Sequence, residues 1–261
     1  MRKPLLDVLF MSEKRKNVLL MLKDGSKETQ TLLYSLKTTR QALLPQLRIL
    51  EENKLIEHMD DSYQLTTVGM LVVEEMSTLV DTVGILDEDI AYWGERQLDF
   101  IPSDLLKRLR ELDSCKVVIP EITELHEINK EFFETSKMSQ QVTKVTTFLY
   151  PNFPRIYSEW IERNIKITLI ISEELFEKIR RDYREEFLQY FNSGKIELFV
   201  YSGNLNFLSF GFNDHCAYFR LLRKTGEYDS KELLCCSSGA VKWCRELCDI
   251  YKKRSNPVTE I

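Results

Sequence analysis

Residues 27–67, KETQTLLYSLKTTRQALLPQLRILEENKLIEHMDDSYQLTT, constrain this chain more than any other stretch. They read as helix, tight turn, helix and a two-stranded hairpin. Ser26 stands where it can cap the first helix, whose apolar stripe is Leu32, Leu33 and Leu36, with the turn near 36–38. Thr39 then caps a second helix that reaches Glu52, because a hydroxyl there accepts an orphan backbone N–H. Leu43, Leu47 and Leu50 recur four and three residues apart, so they share one buried face. Arg40, Gln41 and Gln46 fall on the other. Residues 55–57 and 63–66 are the expected wing strands, joined across Met59-Asp60-Asp61-Ser62. Two amphipathic helices suit any small α domain. A polar hairpin straight after them is the order of a winged helix-turn-helix, whose second helix docks in the major groove of double-stranded DNA. The contacts expected there come from Thr39, Arg40, Gln41, Gln46, Arg48 and Lys54. The acidic wing tip is expected to add little, and Pro45 inside the second helix is expected to bend it.

A net charge of −5 opposes a nucleic-acid partner only if it is evenly spread. It is not. Residues 14–54 hold nine basic and four acidic residues, a local +5 that leaves −10 on the remainder. Local positive charge is what phosphates attract. No apolar run approaches the roughly 18 residues of a membrane span, so no membrane partner is expected. The N-terminal MRKPLLDVLFMSEKRK has no signal-cleavage pattern, which predicts a cytoplasmic protein. Cys115, Cys216, Cys235, Cys236, Cys244 and Cys248 form no CxxC and no secreted framework, so reduced thiols are expected.

Residues 5–23 predict two helices broken near Met11-Ser12. After the wing, 67–90 read as one long helix. Val72, Met76, Leu79, Val83, Leu86 and Ile90 step by four and three, the seam of side-by-side helices, and point to a homodimer contact. Residues 91–100 are a link. A helix over 103–113 follows, and then strands and helices alternate. Strands are expected at 115–119, 143–150, 165–171, 195–201, 207–213, 217–222 and 231–235, and helices at 121–137, 154–163, 173–191 and 238–253. The fold class is a two-domain α+β or α/β chain. The domains are a winged helix-turn-helix over 1–66, a dimerisation helix and link over 67–100, and an α/β sheet domain over 101–261.

YWGERQLDFIPSDLLKRLREL (92–112), TTFLYPNFPRIYSEWIERNIKITLIISEELFEKI (146–179) and YDSKELLCCSSGAVKWCRELCDIYKKRS (228–255) resemble the methanogenesis-regulator (FilR-type) domain of archaeal winged-helix transcription factors. The N-terminal half is similar to the same regulators, including Leu44-Pro45 and the LTTVGM entry into the long helix. The resemblance implies a DNA-binding regulator. It also implies a sensory domain with the sheet layout of phospholipase D, able to take a small-molecule effector.

Catalysis is not expected. A phospholipase-D enzyme needs His-x-Lys twice, and His58, His126 and His215 are followed at that position by Asp60, Ile128 and Ala217. No P-loop, G-x-S-x-G or H-E-x-x-H occurs, and no cofactor is expected. Cys235, Cys236, Cys244 and Cys248 could form a thiol or metal sensor, the rival input. Adjacent residues on a strand point to opposite faces, however, so buried small hydrophobes and no metal are expected. A further rival is a protein-interaction module whose DNA binding is vestigial. Tyr150, which ends a strand where α/β sheets place ligands, is the effector candidate, with His215 and Arg220 as polar partners.

Overall fold

In the computed structural model of the chain, which describes residues 4–261, the first helices are α1 (Leu5–Phe10) and α2 (Glu13–Leu22). Between them the Ser12 hydroxyl accepts from the Arg15 backbone N–H, so the break falls where a capping serine stands. β1 (Lys27–Glu28) pairs with Ser62 and Tyr63, which displaces Ser26 as a cap, and α3 (Thr29–Ser35) starts with Glu28 at its N-cap position. α4 (Arg40–Glu52) has Thr39 as its cap, accepting from the Ala42 N–H. β2 (Ile56–Met59) and β3 (Ser62–Leu65) form the wing, and the sheet runs β1-β3-β2.

Both helices of the helix-turn-helix end the same way. Lys37 and Lys54 adopt left-handed φ of 46° and 61°. The N–H of Thr38 reaches Leu33 O and that of Leu55 reaches Leu50 O, the Schellman arrangement that satisfies the last carbonyls. Pro45 sits inside α4 without ending it. The Gln41 carbonyl loses its intrahelical donor at an exposed residue, where the loss costs least. Val18, Leu19, Leu32, Leu43, Leu47, Leu50, Tyr63 and Val73 are buried together in this unit's core.

α5 (Thr67–Glu88) carries the boundary between two units, Met1–Val83 and Gly84–Ile261. It ends before residue 90 because the Asp89 carboxylate caps a separate helix, α6 (Ile90–Glu95), by accepting from the Tyr92 N–H. The proposed seam is therefore divided. Met76 is buried in the first unit's core, Leu79 and Val83 are 53% and 49% exposed, and Ile90 belongs to another helix.

The second unit is one mixed sheet with helices on both faces. Its elements are α7 (Ser103–Leu106), β4 (Cys115–Val118), α8 (Lys130–Ser136), β5 (Gln141–Thr146), α9 (Phe153–Glu162) and β6 (Lys166–Ser172). They continue as α10 (Glu173–Asp182), α11 (Arg184–Asn192), β7 (Ile196–Tyr201), β8 (Ser209–Asn213), β9 (Ala217–Arg220), β10 (Glu232–Cys235), α12 (Ser238–Lys253) and β11 (Ser255–Pro257). The strand order is β11-β7-β6-β5-β8-β9-β10-β4, with β5, β6 and β7 parallel and the other pairings antiparallel. The β-branched run around Ile167–Ile171 becomes β6, flanked on both sides by parallel partners, as a doubly covered strand should be. One face packs on residues of α6, α7 and α12, the other on α8 to α11.

Two expected helices are largely absent. Residues 103–113 hold only α7 and a 3₁₀ turn, Leu109–Glu111; 121–137 hold a 3₁₀ turn, Ile122–Glu124, and then α8. Ile122 is 88% exposed, so the helical spacing there had no core to face.

The cysteines also differ from expectation. Cys115 stands directly opposite Cys235 across β4–β10, and the two form a disulfide; Cys216 and Cys236 form a second. Strand alternation sends Cys235 and Cys236 to opposite faces, so each meets a different partner. Cys244 and Cys248 are free and buried on α12. The four residues of the rival sensor therefore do not converge, and among the described residues no group of three or more His, Cys, Asp and Glu could hold a metal ion. Among them, too, no helix is long and apolar enough to cross a membrane.

Candidate functional site

The first candidate is the outward face of α4. Leu43, Leu47 and Leu50 anchor the inner face in the core, which leaves Arg40, Gln41 and Arg48 exposed on the opposite side. Thr39 stands at the helix start and Lys54 just past its end, both exposed. Among the described residues none of Arg40, Arg48 and Lys54 is held in a salt bridge, so their charges remain available to a polyanion. Gln46 departs from the expected set. Its Oε1 accepts from Arg15 Nη1 at 2.8 Å and from Ser12 Oγ at 3.3 Å, while Arg15 Nε donates to the Val8 carbonyl at 2.6 Å. Gln46 therefore ties α4 to α2 by its amide oxygen, and through Arg15 to α1. In the wing, His58 stacks on Tyr63 with ring centres 4.4 Å apart.

The second candidate lies in the other unit, on the sheet face that packs against α8 to α11. Alternation along the strands turns Lys144 of β5, Tyr218 and Arg220 of β9 and Glu232 of β10 to that face. The registers align them in two rows. Lys144, Gly211 and Tyr218 lie side by side, as do Thr146, Ser209 and Arg220. Gly211 makes room: a Cβ there would lie 2.3 Å from the Thr143 carbonyl oxygen and crowd the Lys144 side chain.

Lys144 is 1% exposed, and its Nζ sits 4.5 Å from the centre of the Tyr150 ring and 5.7 Å from that of Tyr218. No carboxylate lies within ion-pair distance of it among the described residues. Burial pushes its pKa down, offset only in part by the Tyr218 phenol. The Arg220 guanidinium lies 4.8 Å from the same Tyr150 ring centre. It is bound to Glu232 and donates to the Glu127 carbonyl at 2.8 Å. Burial alone would lower the Arg220 pKa, but Tyr150 and Glu232 raise it and keep the group charged. Asn129 Nδ2 donates to the other Glu232 oxygen at 3.0 Å. The hydroxyls of Tyr150 and Tyr228 and Oδ1 of Asn152 are buried with no hydrogen-bond partner. Burial raises both phenols, Tyr228 to about 12. Against this cluster opens a cleft of about 940 Å³, lined by Asn129, Asn152, Arg155 and Glu232 among others.

The structure thus brings together Tyr150 and Arg220 and leaves out His215. That residue is exposed in the turn between β8 and β9, at the end of β9 opposite Arg220, where its N–H donates to Asn213 Oδ1 at 2.8 Å. Sequence reasoning missed Lys144, Tyr228 and Glu232. One signal was there: a charged residue at a strand position flanked by Val142 and Val145 must either face solvent or be buried for a reason.

The chain matches the family model described as the N-terminal domain of methanogenesis regulatory protein FilR1 over residues 4–84, and that of its middle domain over 125–254. It is 24% identical over 262 residues to the methanogenesis regulatory protein FilR1 of Methanothrix harundinacea (strain 6Ac). That alignment covers 97% of this chain and 58% of the relative, so the chain spans under two thirds of that protein's length. Among solved structures it is similar to TrmBL2, an archaeal chromatin protein, with a TM-score of 0.45, 14% identity and coverage of 95% of this chain and 94% of the other. It is also similar to reduced HlyU from Vibrio cholerae N16961, with a TM-score of 0.27, 25% identity and coverage of 29% and 83%.

Proposed function

The chain belongs to the FilR1 family of methanogenesis regulatory proteins, and from that premise we propose that it is a homodimeric transcription regulator that docks double-stranded DNA through α4. The observation that carries this reading is the exposed, unpaired basic face of a capped helix standing directly before a wing, within the segment matched by the regulator's N-terminal domain. Arg40 and Gln41 probe base edges or the flanking phosphates, and Thr39, Arg48 and Lys54 hold the backbone. Gln46 acts indirectly, fixing α4 against Arg15. The wing tip, Asp60-Asp61, repels phosphate and contributes little.

The second unit senses a small molecule, and binding shifts the dimer between two arrangements of its recognition helices. Tyr150 and Arg220 belong to that site. Catalysis has no part in this reading, because no His-x-Lys pair occurs.

The test is binding of the purified chain to the DNA upstream of its own gene, across a salt series. Affinity should fall steeply with salt, and Arg48→Ala should lower the slope of log affinity against log salt by about one. Arg40→Ala should weaken binding by roughly 1–3 kcal/mol if it reads a base. Equal affinity for the variants and the parent would sink the assignment of α4. It would favour instead a module that binds protein.

A further inference from the structure

Around Tyr150, cationic groups outnumber carboxylates. Lys144 brings an ammonium, Arg220 a guanidinium, and Tyr150 and Tyr228 bring phenols whose oxygens have no partner. The one carboxylate turned to them, Glu232, is already held by Arg220 and Asn129. The two cations lie 4.5 and 4.8 Å from the centre of one aromatic ring, and one counter-charge serves both. Burying such a surplus is costly unless something brings the missing negative charge. Unpartnered buried donors likewise call for an acceptor. A purely structural cluster would have no use for Lys144: a Met in its place would pack as well and carry no charge.

Resting on the reading of this unit as a sensor, we infer that the cluster binds the oxyanion end of a small molecule, a carboxylate or a phosphate, with Lys144, Arg220 and the Tyr150 hydroxyl as its donors. Entry is along the cleft, since Glu232 and Asn129 belong both to the cleft wall and to the cluster. The arriving oxyanion competes with Glu232 for Arg220 and completes the shell of Lys144. The remaining cleft wall selects among ligands. Glu121, Glu124, Glu127, Glu131 and Glu134 line it and outnumber Lys116, Lys130 and Arg155, so the wall favours a ligand with one oxyanion and a neutral or cationic far end over a polyanion.

The experiment is calorimetric titration of the full chain with sodium acetate and, separately, with inorganic phosphate, at constant ionic strength set with chloride. The expected result is saturable binding of one anion per chain for at least one of the two. Whichever binds names the ligand's acidic group. Lys144→Met should weaken that binding by at least roughly tenfold. Without anion, the same variant should melt above the parent, because an uncompensated buried charge has gone. Added anion should raise the melting point of the parent more than that of the variant at the same concentration. Tyr150→Phe removes one hydroxyl and keeps the ring, so it stays folded and should bind several-fold more weakly. Absence of saturable binding of both anions, or equal affinity in the parent and Tyr150→Phe, overturns the site. DNA affinity measured with and without the anion separates the two readings. A bound anion that leaves DNA affinity unchanged keeps the site and sinks only its regulatory role.

Discussion

Asp229 shows how one residue's charge is set by its neighbours. Burial alone would raise its pKa, but Arg96 donates to both its oxygens, at 2.9 and 2.5 Å, and Arg223 adds a third contact at 3.2 Å. The net effect lowers the carboxyl to about 2. A depressed carboxylate contributes stability above its unfolded pKa, near 4, and loses it as pH falls through the folded value. Unfolding midpoints should therefore fall steeply between about pH 4 and 2 in the parent. Asp229→Asn should flatten that part of the curve, because its titration is removed. It should also cost stability at neutral pH, since Arg96 is fully buried and would lose its counter-charge. A variant with the parent's acid limb would show that other carboxylates govern acid unfolding. Nothing local in ELLCC or in TKVTTF announces which charged residues turn inward; that depends on register, which nearest-neighbour patterns do not contain.

Elements with strong local grammar were legible in the sequence. α12 starts after a capping Ser237 and runs from Ser238 to Lys253, as its apolar spacing predicts. β6 and the wing strands likewise follow from β-branched content and turn residues. The misread elements were those whose existence depends on a partner. β1 has two residues and β11 three, and each forms only because β3 or β7 offers an edge. In the stretch 121–137 the second half has a surface and forms α8 with Phe132 and Phe133 buried, whereas Ile122 at its start has none, and only a 3₁₀ turn forms there. One close contact in the first unit has an element-scale consequence. A Cβ on Gly69 would lie 1.9 Å from the Leu55 carbonyl oxygen, so α5 can approach the start of the wing only because residue 69 is glycine. Gly69→Ala should push the helix away and cost about 1–3 kcal/mol by urea unfolding. An unchanged midpoint would mean the helix can shift freely there.

For the whole molecule, the dimer proposed above rests on α5. Leu71, Leu79 and Val83 are 64%, 53% and 49% exposed along it, which is more apolar surface than a helix in water usually shows. Replacing Leu79 and Val83 together by Glu should convert a dimer to a monomer in sedimentation while leaving the helical circular dichroism intact. Sedimentation identical to the parent's would move the interface elsewhere. The two cross-strand bonds have a different consequence, one that concerns a broken chain. Lys224 is exposed in the connection between β9 and β10, and the bonds Cys115–Cys235 and Cys216–Cys236 both span it. A protease that cuts after Lys224 therefore releases no fragment. The nicked protein should run as one band on a denaturing gel and divide into two pieces only when thiol reductant is added. Around that point the polypeptide is a closed ring, and it survives the loss of a peptide bond.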